Sequence, residues 1–339
     1  MTHPSAGIVL CTFNGAQFLE PQLASILRQS HQPDEVLISD DGSTDETLAI
    51  VEQFAAGAPF PVRVIQRTAN LGYRANFVTT AAALKSETIF FSDQDDVWHR
   101  DKLKRMMSEF ARDPHILLSY HNAAVVNERG QKIGPLLHDT TQREVLACTP
   151  LEPWHYTLGF TQAFRRELLE HQDLWTSSRD HMSDNVMAHD QWFIFLAALL
   201  GRVTFVNQPL VQHRQHATNT YGVQAVPRWR RLTSRFSHNP DWDCLAATAA
   251  DSRAFISAAL AEKKPALRPR LLEVADGYRA LAQRHRRRHT AYTAPSVITR
   301  ASALLDALRG GDYRGRPWGL SGKAMARDLI AAPLHGSSA

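Results

Sequence analysis

Cysteine is scarce in this chain: Cys11, Cys148 and Cys244 are the only three in 339 residues, and they stand far apart. Their separation excludes a disulfide framework and any metal-binding or redox spacing, and it fits a reducing compartment. Long apolar runs are missing as well. The longest, Trp192 to Leu200, falls far short of the roughly 20 residues a spanning helix needs, so no integral membrane protein is expected. The N-terminus shows neither a basic n-region nor a long apolar h-region, since Met1 to Ser5 leads straight into a strand-like run. A cytoplasmic protein is the expectation. Neither G-x-G-x-x-G nor G-x-x-x-x-G-K-[ST] occurs, which argues against a dinucleotide fingerprint and a P-loop.

What is present is an ordinary globular composition, 44% hydrophobic and 21% charged, long enough for one large domain or one domain with an appendage. Net charge is +4 but unevenly placed, because Glu262 to Thr290 holds nine Lys/Arg against three acids. The remainder is mildly acidic, so basicity belongs to the C-terminal region.

Gly7 to Phe13 reads as a buried strand ending in a turn at Asn14-Gly15, and Phe18, Leu19, Leu23, Ile26 and Leu27 recur at helical spacing until Pro33. Glu35 to Ser39 is the next strand, followed by Asp40-Asp41-Gly42 and a helix from about Thr47 to Phe54. A third strand spans Val62 to Gln66, and a helix over Arg74 to Leu84 leads into a fourth strand. Strands alternating with helices predict a right-handed, mostly parallel α/β sheet, whose ligands sit beyond the carboxyl ends of the strands. Thr12 to Asn14, Asp40-Asp41, Asn70 to Arg74 and an acidic cluster all fall at those ends.

That cluster, Ile89-Phe90-Phe91-Ser92-Asp93-Gln94-Asp95-Asp96-Val97-Trp98, is the organising stretch, an apolar run emptying into three carboxylates within four positions. Like charges so close repel and raise each other's pKa unless a cation sits on them. Residues i and i+2 of an extended backbone share a face, so Asp93 and Asp95 point together. Hard oxygen ligands without Cys or His suit Mg²⁺ or Mn²⁺ shared with substrate phosphates. The plainer alternative is an acidic turn before a helix at about Asp101 to Arg112.

In combination, Thr12-Phe13-Asn14, Asp40-Asp41-Gly42-Ser43-x-Asp45, Asn70-x-Gly72-x-x-x-Asn76 and Asp93-x-Asp95-Asp96-x-Trp98 resemble the family 2 glycosyltransferases of the GT-A fold, most closely the bacterial rhamnosyltransferase-like enzymes of surface-polysaccharide assembly. The resemblance covers about residues 6–225 and implies a glycosyltransferase domain over 1–226 with a basic helical region over 227–339. It implies a nucleotide-sugar site: Thr12, Phe13 and Asn14 by the base, Asp41 accepting the pyrimidine imide N–H with Asp40 in support, and Asn70 and Arg74 near base or diphosphate. Asp95 would be the main metal ligand, with Asp93 and Asp96 contacting ribose or completing the site and Gln94 beside them. Gly159 to Leu169 resembles the segment before the family's catalytic helix, where small residues permit close approach to the sugar, although a plain strand-to-helix connection fits as well.

His189-Asp190-Gln191-Trp192 opens an apolar helix at the place of the family's catalytic acid. The resemblance makes Asp190 the general base of an inverting transfer; the alternative is an N-cap. The common pattern here is His-Asp-Trp-Trp, from which Gln191 departs. His213-Arg214-Gln215-His216-x-x-Asn219 is similar to a Tyr-Arg-Gln-His-x-x-Asn stretch, so Arg214 or His216 could neutralise the departing diphosphate and His216 could complete the metal shell.

The implied activity is transfer of a sugar, L-rhamnose from dTDP-rhamnose first and a UDP-hexose second, to a saccharide or lipid-linked acceptor. The Ala/Arg/Leu-rich tail beyond Pro227 suits helices that lie on an anionic membrane surface at the inner face of the cell membrane, though a solvated basic face explains them equally. Two rivals stand outside this class. A nucleotidyltransferase would show a basic, glycine-rich loop that Thr12 to Gly15 lacks, and a nucleic-acid-binding module would interleave aromatics with Arg284 to Arg288, which this chain does not do.

Overall fold

The computed structural model describes residues 4–137, 145–147, 157–216, 239–313 and 322–334. The sequence suggests an acceptor-side loop over 134–157 with Trp154 and His155; most of it lies outside the described residues, as does the stretch from Trp229 to Phe236. The chain divides into two compact units, one of Met1–Thr149, Tyr156–Asp173 and Met187–Val223, the other of Pro150–His155, Leu174–Val186 and Gln224–Ala339.

The first unit alternates β1 (Ala6–Thr12), α1 (Ala16–Leu27), β2 (Glu35–Asp40), α2 (Thr47–Gly57), β3 (Val62–Gln66), α3 (Gly72–Ala82), β4 (Thr88–Ser92) and, after the short β5 (Val97–Trp98), α4 (Lys102–Arg112). Then come β6 (Ile116–Asn127), β7 (Lys132–Leu136), β8 (Val145–Ala147), β9 (Gln162–Arg165), α5 (His189–Leu200) and β10 (Arg202–Gln215). Ten described strands make one sheet, ordered β3-β2-β1-β4-β9-β6-β10-β5, with β7 on β6 and β8 on β10. Strands β3 to β4 are parallel, as expected from the alternation, and β9 enters antiparallel between β4 and β6.

Every residue of β1 is buried, as a parallel strand covered on both faces requires, whereas β3 at the edge is largely exposed and carries Arg63. Register fixes the site: Thr12 lies opposite Asp40, Asp40 opposite Gln66, and Leu10 opposite Ser92. The polar clusters therefore leave the sheet side by side at its carboxyl edge.

The second unit holds α6 (Pro240–Lys263), α7 (Arg268–Thr293), α8 (Val297–Arg309) and α9 (Gly322–Leu334). Its basic run is knitted into the helices. Arg284 and Arg287 pair with Asp312, Arg286 with Asp251, and buried Arg288 with Asp328 and Asp243. Asp328 is the hub, accepting from Arg288 Nε and Nη2 at 2.7 and 3.0 Å, Tyr292 at 2.7 Å and Tyr313 at 3.0 Å. Burial alone would raise its carboxyl, but Arg288 and the two phenols outweigh that and hold it below the usual aspartate range.

Asp328→Ala strands a buried guanidinium. With Asp243 still 3.5 Å from Arg288, we expect a loss near the lower end of the range for broken buried pairs, about 3 kcal/mol, measured by urea unfolding. Because the folded-state pKa is depressed, this contribution is present above the ordinary aspartate range and disappears as pH falls through the folded value. Wild type and variant should therefore converge in stability in acid.

Candidate active site

The apolar run of β4 ends at Ser92, and the chain turns through Asp93–Asp96 before pairing again as β5. Asp93, Asp95 and Asp96 present carboxylate oxygens within 4.8 Å of one another. Asp96 is wholly buried. Its Oδ1 accepts from the Arg214 backbone N–H at 3.2 Å and lies 3.0 Å from His213 Nδ1, while Oδ2 is enclosed without a partner. Asp95 Oδ2 lies 2.8 Å from His216 Nε2. No described residue donates a hydrogen bond to the Asp93 carboxylate.

Burial, then Asp96 and Asp95, push the Asp93 carboxyl well up; burial and Asp96 raise Asp95, with His216 opposing. Three crowded carboxylates, one of them bare and one with an orphaned oxygen, match what a hard divalent cation requires: several oxygen donors with no thiolate. The donor set fits Mg²⁺ or Mn²⁺.

Side chains distant in sequence hold this turn. Phe18 of α1 lies under both histidine and arginine, its ring 4.5 Å from that of His216 and 5.2 Å from the Arg214 guanidinium carbon. Arg214 donates to the carbonyls of Asp95 and Glu128, so its guanidinium braces the acidic turn. Gln22, buried on α1, accepts the Trp98 indole N–H at 3.0 Å and donates to the Asp96 carbonyl at 2.6 Å in the amide orientation that satisfies both. His213 stacks on Phe160 at 4.5 Å, and burial opposes but does not cancel the upward pull of Asp96 on its imidazole.

On the neighbouring strand ends, Asp40 accepts from Thr12 Oγ1 at 2.8 Å, from Ser43 Oγ and from the Ser43 N–H at 2.9 Å. It supports the rim from below, fully buried. Asp41 accepts from the N–H groups of Leu71 and Gly72 at 2.8 and 2.9 Å, fastening the Asn70–Gly72 turn at the start of α3. Phe13 is 47% exposed, and Gln94 clamps its backbone, accepting from its N–H at 2.9 Å and donating to its carbonyl at 3.1 Å. A Cβ at Gly15 would lie 2.2 Å from Gln94 Oε1, so a side chain there would push the Gln94 amide out of this clamp. Asn14 adopts φ 48°, accepting from the Thr44 N–H at 2.9 Å. Arg74 follows Tyr73, with its guanidinium carbon 5.3 Å from that ring.

Ala188 occupies the N-cap position of α5, so Asp190 is the helix's second residue and not its cap. It lies close enough to Asp93 to help raise that carboxyl. Its Oδ1 accepts from the Gln191 N–H at 2.8 Å, and its carbonyl accepts from Gln162 Nε2 at 2.9 Å. The room at Gly159, expected for the sugar, is taken by His189: a Cβ there would lie 2.2 Å from Nε2. His189 stacks on Phe77 at 4.0 Å, and burial, reinforced by Arg74, depresses its pKa to about 3, so the ring is neutral.

The structure thus brings Asp93, Asp95, Asp96 and His216 together with Asp190 in electrostatic reach, and lines Thr12, Phe13, Asp40 and Gln94 along the adjoining edge. The supports Phe18 and Gln22, and the buried Lys102 at the start of α4, escaped the sequence reading. Their signal was present: Gln22 falls among the apolar positions of α1, and Lys102 is in phase with buried Met106 and Phe110 of α4.

A mostly parallel sheet with an acidic turn at its carboxyl edge defines a GT-A architecture, and the solved structures agree. Residues 1–349 of S. aureus TarS, crystallised with UDP-GlcNAc, superpose with a TM-score of 0.56 at 18% identity, covering 91% of this chain and 93% of that one. Residues 7–172 match the model of Glycosyl transferase family 2, and the chain belongs to that family. An uncharacterized glycosyltransferase of Nostoc sp. is 27% identical over 63% of this chain, a match spanning 66% of its own length. The dTDP-rhamnosyl transferase RfbG of Shigella flexneri is 26% identical over 66% of this chain and 78% of its own length.

Proposed function

We infer that this chain transfers a sugar, with inversion, from a nucleotide-diphosphate donor to an acceptor hydroxyl. The observation that carries the reading is the set of three carboxylates within 4.8 Å of one another at the carboxyl edge of a family 2 sheet. Asp93, Asp95 and Asp96 would hold Mg²⁺ or Mn²⁺, and such an ion offsets the charge growing on the leaving diphosphate. His216 either joins that shell or fixes Asp95 in it. Asp190 takes the proton of the acceptor hydroxyl as the acceptor oxygen bonds to the anomeric carbon and the diphosphate departs.

Thr12, Phe13 and Asn14 receive the base with Asp41, Asn70 and Arg74. Both Asp41 oxygens already accept one backbone N–H, and a carboxylate oxygen keeps a second lone pair for an imide N–H. Similarity to RfbG supports dTDP-rhamnose as donor. The acceptor is a saccharide or a lipid-linked saccharide, met in the cytoplasm at the inner face of the membrane. No described helix is long and apolar enough to cross a bilayer. With Arg284 and Arg286 to Arg288 ion-paired, support for surface association comes instead from exposed Val297, Ile298, Leu329 and Ile330.

A thermal-shift screen of nucleotide sugars with and without Mn²⁺ tests the reading. Stabilisation by dTDP-rhamnose that needs the metal is the expected result. At ligand a hundred times its dissociation constant the linkage is about 2.7 kcal/mol, a rise of several degrees. A UDP-hexose preference would reassign the donor, and indifference to every pyrimidine nucleotide would sink the assignment.

A further inference from the structure

We propose that Lys102 is a built-in counter-charge beneath the acidic turn, the cation that lets a rim of three carboxylates accept an anionic diphosphate along with a divalent metal. This rests on the metal–diphosphate reading of Asp93, Asp95 and Asp96.

Lys102 opens α4 yet is wholly buried. Its Nζ donates to the Phe160 carbonyl at 2.7 Å and sits 3.5 Å from the centre of the Trp98 ring. No described carboxylate lies within ion-pair distance of it. Burial pushes the ammonium well below its usual range, while Asp96 and Asp93 pull it back up. A lysine is seldom kept in such a place without a reason, since methionine would fill the space without the desolvation cost of a charge. The aromatic face is the clue to its state, because a ring attracts an ammonium at this distance far more than a neutral amine.

Its neighbours explain what the charge is for. Trp98 lies two residues beyond Asp96, and Phe160, whose carbonyl Lys102 holds, stacks on His213, which in turn meets Asp96. Lys102 therefore stands behind the acids, out of reach of solvent and ligand. Three ionised carboxylates leave one negative charge after a divalent cation binds, and Lys102 adds its positive charge from the buried side to that of Arg214, whose guanidinium braces the turn. Without the ammonium a diphosphate approaches a site more negative by one charge.

The effects on two ligands should have opposite signs. In Lys102→Met, Mn²⁺ alone, followed by titration calorimetry or electron paramagnetic resonance, should bind on the order of tenfold tighter, because a repelling charge is gone. With Mn²⁺ saturating, UDP or dTDP should bind on the order of tenfold weaker, because an attracting charge is gone. Lys102→Gln, which keeps a donor for the Phe160 carbonyl but not the charge, should shift both affinities in the same directions. Both variants should melt within a few degrees of wild type. If the two affinities fall together, the lysine is a structural prop; if neither moves, it is a neutral amine; if glutamine behaves as wild type, the hydrogen bond and not the charge matters. Each of these overturns the proposal while wild-type binding of metal and nucleotide leaves the functional reading intact. Failure of the wild type to bind Mn²⁺ would remove that reading, and this one with it.

Discussion

Asp190→Asn is expected to cut sugar transfer by about 10²- to 10⁴-fold, the range a positioned general base supplies, and to leave donor binding in place. The change is conservative for the fold. Asp190 accepts the Gln191 N–H through Oδ1, and an asparagine oxygen can do the same. Its backbone carbonyl, which accepts from Gln162, does not depend on the side chain. Asparagine has no basic lone pair to take the acceptor proton. The loss should therefore fall on kcat, with KM for the donor little changed and the melting temperature preserved. Donor binding is measured separately, by titrating dTDP or UDP in the presence of Mn²⁺. Turnover equal to wild type would strip Asp190 of its role, and weakened nucleotide binding would mean that the residue serves the donor and not the acceptor.

The alternation of strands and helices in the first two hundred residues was legible because parallel strands covered on both faces are nearly continuous apolar runs. Val62–Gln66 lies where the sequence placed it. Helix α3 starts two residues before the expected Arg74, since Asp41 secures the N–H groups of Leu71 and Gly72 at its entry. Less legible was what depends on pairing between distant segments. Strand β9 is four residues long and enters the sheet against its neighbours, and β10 runs through Pro209 with irregular register.

The same divide runs through the site. The acidic turn announced itself by charge density, but Phe18 and Gln22, which hold it, and Lys102, buried behind it, come near it only after folding. The basic run misled in the opposite way. Arg284 to Arg288 looked like a charged surface because their partners Asp243, Asp251, Asp312 and Asp328 lie 25 to 45 residues away.

Asp95→Asn should abolish Mn²⁺ binding and, with it, the metal-dependent stabilisation by nucleotide sugar. Asparagine is nearly isosteric and can still meet His216 Nε2, which lies 2.8 Å from Asp95 Oδ2, so the turn should keep its shape. What it loses is a unit of negative charge from a group of three. Burial and Asp96 already hold the Asp95 carboxyl above the usual range, so part of the crowding is relieved in the variant and the metal-free protein should be no less stable. The effect on catalysis should nonetheless be large, because stabilisation of the departing diphosphate by a cation is worth several kcal/mol, roughly a thousandfold in rate. Asp41→Asn offers the contrast: its carboxylate fastens the Asn70–Gly72 turn and lies on another strand end, so that variant should weaken nucleotide binding while Mn²⁺ alone binds as in wild type. Electron paramagnetic resonance of titrated Mn²⁺ separates the two. Should Asp95→Asn bind manganese as tightly as wild type while transfer collapses, the acidic turn would be a substrate clamp and the cation would have to be sought elsewhere in the chain.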